Sequence, residues 1–157
     1  MLSSVLQKPI KLIPFIVGFL LLSGFRIAPD AQQMLAWSNQ TLTRIYDPSG
    51  EKLKKWELNI TDDFFLRFRK TYTNGKQEYF SCQLHNFNDV DYNGTESKGT
   101  LTISTKADDI IVQTYNDRKG NIDSMTTSVN IPVKNLEPEQ LDSLRDALLS
   151  FKDEVRP

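Results

Sequence analysis

The chain has 157 residues with 19 basic and 20 acidic side chains, which gives a net charge of −1 at pH 7. With 39% hydrophobic and 25% charged residues, the composition is that of an ordinary globular protein and excludes global disorder. The lack of a basic excess argues against nucleic acid as a partner. The single cysteine excludes an internal disulfide.

The first 29 residues have the pattern of a secretory signal peptide or of a short N-terminal membrane anchor. Lys8 and Lys11 precede an uncharged, mostly apolar run over residues 12–25. A basic region followed by about 7–15 apolar residues is typical of a signal peptide, whereas a membrane span needs about 20. Both alternatives stay open. Each predicts that residues 30–157 form one domain outside the cytoplasm, which meets a membrane only through the N-terminal segment.

Alternating apolar and polar residues predict β-strands through the middle of the chain. Asn74-Gly75 lies between two such runs and predicts an antiparallel hairpin. Cys82 belongs to the apolar set of the second run, so its side chain is predicted to face the core. The apolar positions are Trp56, Leu58 and Ile60 in one strand, Phe64, Leu66, Phe68 and Tyr72 in the next, and Phe80, Cys82 and Leu84 in a third.

Three further segments are predicted as strands. Residues 100–106 and 109–116 have the pattern of another strand pair, and residues 124–133 that of a last strand. Pro132 predicts that this last strand lies at a sheet edge, because proline cannot donate a ladder hydrogen bond. Its inward residues are predicted to be Met125, Val129, Ile131 and Val133.

The apolar period changes from two to three and four near the end of the chain, which predicts an amphipathic helix over residues 138–153. Pro138 suits the first helical position. The predicted fold is therefore mainly β (α+β), an antiparallel meander of about seven strands with one C-terminal amphipathic helix packed on it. The meander forms either a curved sheet or a sandwich. The apolar positions of the helix are Leu141, Leu144, Leu148, Phe151 and Val155.

One short segment has the spacing of a calcium-binding loop. Asp89, Asp91 and Asn93 supply oxygen ligands at alternate positions, and Gly94 follows them. Thr100 stands where an EF-hand has its closing glutamate, so the pattern supports only a looser Ca²⁺ site between strands. A solvated turn explains the same residues, because Asp, Asn and Gly are common turn residues. No other cofactor is predicted.

The candidate ligand-binding residues are Lys55, Arg67, Arg69 and His85. The three cations are predicted to share one sheet face, where they would meet an anionic ligand or a partner protein. The alternative is that they are ordinary cations on the wet face of a sheet. His85, the only histidine, is predicted on the polar strand face that carries Tyr79. No nucleophile motif accompanies it, so no catalytic residue is predicted.

The sequence favours an exported or envelope-tethered binding or accessory domain without catalytic activity. Its ligand is predicted to be a partner protein or a small anionic or hydrophobic molecule. For a hydrophobic ligand, Phe65 and Trp37 are the candidate contacts. One alternative is a small extracytoplasmic hydrolase that uses carboxylates of residues 89–96. Another is an assembly subunit that pairs through a strand edge or through the C-terminal helix.

Overall fold

The structure is a computed structural model that describes residues 29–155. The predicted signal peptide or anchor lies outside these residues, apart from Pro29. Between its first and last helices the described chain forms eight strands and two short 3-10 helices, Pro48–Gly50 and Leu84–Asn86. The helices are α1 (Pro29–Ile45) and α2 (Pro138–Glu154). The strands are β1 (Leu53–Ile60), β2 (Phe65–Tyr72), β3 (Gln77–Gln83), β4 (Phe87–Thr95), β5 (Lys98–Thr105), β6 (Ile110–Tyr115), β7 (Asp123–Thr126) and β8 (Ser128–Lys134).

The strands form two antiparallel sheets. One sheet has the strand order β1-β2-β3-β6-β7 and the other has the order β4-β5-β8. The mainly β fold with a C-terminal helix is confirmed, with eight strands where about seven were predicted. Buried side chains of both sheets and both helices form one hydrophobic core.

The hairpin between β2 and β3 turns at Asn74-Gly75 as predicted. The backbone N–H of Gly75 donates to the carbonyl of Tyr72 at 3.0 Å, and the N–H of Tyr72 donates to the carbonyl of Lys76 at 2.9 Å. Gly75 has φ +89°, a backbone conformation that glycine adopts without a steric penalty. The resulting register places Phe68 opposite Phe80. Cys82 is buried in the core, which confirms its predicted orientation.

The predicted pairing of residues 100–106 with residues 109–116 is wrong. These residues form β5 and β6, but β5 pairs with β4 and β8, whereas β6 pairs with β3 and β7. Between them, the N–H of Asp109 donates to the carbonyl of Ala107, and this tight turn leads the chain into the other sheet. Alternation of residues indicates which segments are strands, but it carries no information about their partners.

The predicted last strand, residues 124–133, is two strands in different sheets. The chain leaves the five-stranded sheet at Thr127, whose carbonyl accepts a hydrogen bond from the N–H of Thr105 at 2.9 Å. Met125 is 54% exposed rather than buried, because β7 ends the five-stranded sheet and turns this side chain away from the core. The other three predicted inward residues, Val129, Ile131 and Val133, are buried. Pro132 lies in β8, an edge strand, as predicted.

Helix α1 was not predicted. It buries Leu35, Leu42 and Ile45 in the core, and it packs against β1 and α2. These apolar residues recur at intervals of seven and three, which fits one face of a helix. Asp30 in its first turn and Arg44 in its last complement the helix dipole.

Helix α2 confirms the predicted amphipathic helix and ends one residue later, at Glu154. Leu144, Leu148 and Phe151 are completely buried. The ring of Phe151 stacks on that of Phe64, with 5.1 Å between ring centroids. Within residues 29–155, neither α1 nor any other helix has the length and apolar character needed to cross a membrane.

Candidate functional site

The outer face of the five-stranded sheet, which points away from the core, carries the predicted cations. Lys55 lies opposite Thr71, Arg67 opposite Asn59, and Arg69 opposite Glu57 in the β1–β2 ladder. Opposite residues of an antiparallel pair point to the same face, and side chains two residues apart share a face. The three cations therefore lie together on this outer face, as the sequence predicts. All three side chains are exposed.

Aromatic rings support two of these cations. The guanidinium carbon of Arg69 lies 5.3 Å from the ring centroid of Tyr79, and that of Arg67 lies 5.9 Å from the ring of Phe65. A guanidinium group over a ring face is attracted by the ring quadrupole. Both guanidinium groups therefore lie beside aromatic rings of the outer face, while the arginine side chains remain exposed.

His85 does not join this group. The chain leaves β3 at Gln83, so His85 lies in the following 3-10 helix and not on the strand face of Tyr79. Its Nδ1 is 3.1 Å from the carbonyl oxygen of Val155, just after α2. The predicted placement of His85 on that face is therefore wrong.

Asp89, Asp91 and Asn93 lie in strand β4 and not in a loop. Asp89 lies at a break in register with β5 and accepts a hydrogen bond from Nε of Arg145 at 3.1 Å. Asp91 and Asn93 are exposed along the strand. Among the residues that the structure describes, no three His, Cys, Asp or Glu side chains are grouped so as to hold a metal ion. The loop predicted for Ca²⁺ is thus a strand, and one of its three ligands is already paired.

Phe65 and Trp37, the candidate contacts for a hydrophobic ligand, are not brought together. Phe65 lies on the outer face beneath Arg67. Trp37 lies on α1 and packs against the core on the other side of the sheet. They line no common surface.

A buried charge network occupies one end of the inner face of the same sheet. Nζ of Lys70 lies 2.8 Å from Oε1 of Glu51 and 2.9 Å from Oε2 of Glu78. The hydroxyl of Tyr72 lies within hydrogen-bond distance of both carboxylates, at 3.0 Å from Glu51 and 2.9 Å from Glu78, and its single proton is donated to one of them at a time. Lys76 extends the network from Glu78 to Asp117, at 2.9 Å from each.

The network is held in its charged form. Burial alone would lower the pKa of Lys70, but hydrogen bonds to Glu51 and Glu78 outweigh it and raise the pKa above its ordinary value. Burial alone would raise the pKa of Glu78, but hydrogen bonds from Lys76, Lys70 and Tyr72 outweigh it and lower that pKa. Because each charge already has an opposite partner, this arrangement suits structural support rather than proton transfer.

This network was not predicted, although the sequence contains its signal. Lys70 falls in the apolar series Leu66, Phe68, Tyr72, at a position that alternation assigns to the core. A lysine there requires buried acids as partners. Alternation does not identify those acids, because Glu51 and Glu78 come from outside β2.

Three of the four sheet edges are partly closed, because another segment of the chain hydrogen-bonds to one outward residue of each edge strand. At β1, the side-chain amide of Asn39 accepts from the N–H of Ile60 at 2.6 Å and donates to its carbonyl at 2.8 Å. At β4, Nη2 of Arg145 donates to the carbonyl of Val90 at 2.8 Å. At β8, the N–H of Asp47 donates to the carbonyl of Pro132 at 2.9 Å.

The fourth edge, at β7, has no such closure within residues 29–155. The N–H of Thr114 donates to the carbonyl of Ile122, so the backbone groups of Ile122 point toward β6. Along an antiparallel strand, the backbone groups of successive residues point alternately toward and away from the neighbouring strand. The N–H and C=O groups of Asp123 and Met125 therefore point away from β6. We call this line of free backbone groups the β7 edge.

Exposed apolar side chains cluster beside the β7 edge. Of the five large hydrophobic side chains exposed in the described residues, four belong to β6, β7 or their connection, and Leu149 on α2 is the fifth. The four are Ile111 (39% exposed), Tyr115 (46%), Ile122 (50%) and Met125 (54%). Ile111 and Met125 are direct cross-strand neighbours on the outer face.

An open depression of about 220 Å³ lies at the end of this hairpin. It is lined by Gln113, Thr114, Tyr115, Asn121, Ile122 and Asp123. Pockets that enclose drug-sized ligands are generally larger, about 300–1,000 Å³, and more apolar. This region was not predicted, because the alternation of residues 124–133 assigns Met125 to the core.

Comparisons of the chain with protein-family models, with curated proteins and with solved structures gave no match.

Proposed function

We propose that this protein is an exported, non-catalytic binding module that docks a partner protein by strand addition at the β7 edge. The observation that carries the proposal is the coincidence of that unclosed edge with four of the five exposed large hydrophobic side chains. An exposed edge strand offers free N–H and C=O groups to an incoming strand. Burial of the neighbouring apolar side chains adds a favourable free energy of binding that backbone hydrogen bonds alone do not supply.

The composition of the outer face supports a protein as the ligand. Interfaces are enriched in aromatic residues, methionine and arginine relative to the rest of the surface. Here Met125 and Ile111 belong to a cross-strand row that begins with one cation of β2, Arg67. The row is Arg67, Ser81, Ile111 and Met125, in that order across the sheet.

Glu51, Glu78 and Asp89 are engaged by cations, which favours binding over hydrolysis at these three acids. A carboxylate pair that cleaves a substrate needs one group free to donate or accept a proton. Glu51 and Glu78 instead share Lys70 and Tyr72, and Asp89 accepts from Arg145. Export itself is supported only by the basic and apolar pattern of the N-terminal segment.

Site-specific photo-cross-linking in the host tests this function. A photo-reactive amino acid replaces Met125 in the full chain, and the matched control places it at Asn93, an exposed residue on the partly closed β4 edge. We expect a discrete protein adduct from position 125 and none from position 93. No adduct at either position, or equal adducts at both, would contradict the proposal.

A further inference from the structure

The length of β7 and the spacing of its outward backbone groups indicate which partner fits the β7 edge. We propose that it is a second copy of this chain, whose β7 pairs antiparallel with β7 of the first about a two-fold axis at Ser124. This inference rests on the proposed function, since it names the occupant of the same edge. The pairing of the two β7 strands joins two five-stranded sheets into one continuous sheet of ten strands, which is near the upper size of open twisted sheets.

Backbone geometry gives the register of this pairing. Asp123 and Met125 are the two residues of β7 that face outward. An axis at Ser124 places Asp123 of each copy opposite Met125 of the other. Each such pair exchanges two N–H···O=C bonds, so the two pairs make four bonds. No outward group of Asp123 or Met125 is then left unsatisfied.

The shortness of β7 favours a second copy over a longer partner strand. The strand has only four residues, Asp123–Thr126. Beyond it, the carbonyl of Thr127 is already bonded to the N–H of Thr105. A longer strand would therefore meet a carbonyl that is already bonded past Thr126, whereas β7 of a second copy is equally short and begins at Asp123, opposite Met125 of the first.

Charge and side chains agree with this register. Asp123 is the only charged residue of β7, and it lies opposite Met125 of the second copy rather than opposite another aspartate. Like charges directly opposite each other would destabilise the pair. Ser124 of one copy meets Ser124 of the other, and small side chains at the axis avoid a clash. The interface is short, so the dimer is weak and is best captured covalently.

Disulfide trapping tests the pairing. At the axis, Ser124 of each copy forms a non-hydrogen-bonded pair, whose Cα atoms lie about 4.5 Å apart, within the range that a disulfide spans. In the full-length Ser124→Cys variant, oxidised glutathione takes two electrons and two protons from the two thiols, giving a linked dimer. The native Cys82 does not compete, because burial raises the pKa of its thiol to about 12.

The matched control is Asn93→Cys, an exposed position on the partly closed β4 edge. We expect the Ser124→Cys protein to form the linked dimer at least ~10-fold faster than the control, because position 124 is held at bonding distance. Equal rates would show random collision and overturn the self-pairing. Native mass spectrometry of the unmodified chain over a series of rising protein concentrations gives a second readout that needs no substitution. A dimer fraction that grows with concentration is expected, and a monomer at every concentration would overturn the self-pairing.

The two proposals fail in distinguishable ways. If Ser124→Cys does not outpace its control while the cross-linker at Met125 captures a different protein, self-pairing is overturned and partner binding stands. If neither experiment yields a specific adduct, both proposals are overturned. An adduct of the chain with itself at position 125, together with the fast disulfide at 124, supports both.

Discussion

Lys70 and Glu51 form an ion pair that joins the turn before β1 to the inner face of the sheet, with 2.8 Å between Nζ and Oε1. The lysine side chain is only 10% exposed. Removing one partner of a buried ion pair leaves the other charge without compensation. We expect Lys70→Met to lower the free energy of unfolding by about 2–4 kcal/mol, measured by urea denaturation.

Arg69→Met is the matched control for this substitution, because Arg69 is the next residue and its side chain lies on the exposed outer face. It loses a contact with Tyr79 but leaves no buried charge. Its cost should stay below about 1 kcal/mol. Similar losses for the two variants would mean that the buried network does not stabilise the fold.

Stability should fall at acidic pH partly through Glu78. Its pKa in the folded chain lies below the ordinary value of 4.5, because hydrogen bonds from Lys76, Lys70 and Tyr72 outweigh the effect of burial. A lowered pKa contributes stability that is present above the unfolded-state pKa and is lost as pH falls through the folded-state pKa. We expect the difference in thermal midpoint between the native chain and Glu78→Gln to be largest near pH 7. It should shrink below about pH 4.5, and a difference that stays constant down to pH 2 would disagree with this assignment.

The amide of Asn39 closes the β1 edge through two hydrogen bonds to Ile60. Asn39→Ala leaves the N–H and the carbonyl of Ile60 without partners, which we expect to cost about 1–3 kcal/mol of unfolding free energy. Gln40→Ala, at the next and exposed position of α1, removes no hydrogen bond to the sheet, so its cost should stay below about 0.5 kcal/mol. Denaturant titrations of both variants check this order, and the reverse order would contradict the described geometry.

Leu144 and Leu149 belong to the same helix and differ in burial, at 0% and 39% exposed. Leu144→Asp buries a charge against the core and is expected to abolish the cooperative thermal transition. Leu149→Asp places the same side chain at an exposed position, so the transition should persist. A retained transition in Leu144→Asp would show that α2 does not pack as described.

The sequence predicted those parts of the fold that depend on local signals. The β2–β3 hairpin follows from Asn74-Gly75 between alternating runs, and α2 follows from Pro138 and a change of period. Both signals reside within about 20 residues of chain and reflect backbone preferences and amphipathicity. The shared face of Arg67 and Arg69 follows from the same alternation.

Strand partners and the candidate edge were not predictable in this way. Nothing local distinguishes β5 and β6 as members of different sheets, because pairing depends on which long-range contacts bury most surface. Met125 fits the alternation of residues 124–133, and only the break at Thr127 turns it outward. The β7 edge exists because of that break, so it emerged from tertiary structure alone.

Blocking the backbone of the β7 edge is a direct test of docking by strand addition. The N–H of Met125 points away from β6, so Met125→Pro removes a docking donor and leaves the intrachain ladder intact. A photo-cross-linker at Ile111, its cross-strand neighbour on the outer face, reports docking in the full chain, with Met125→Leu as the control. We predict that the adduct survives in Met125→Leu and is lost in Met125→Pro at an unchanged thermal midpoint. An undiminished adduct in Met125→Pro would contradict docking by strand addition.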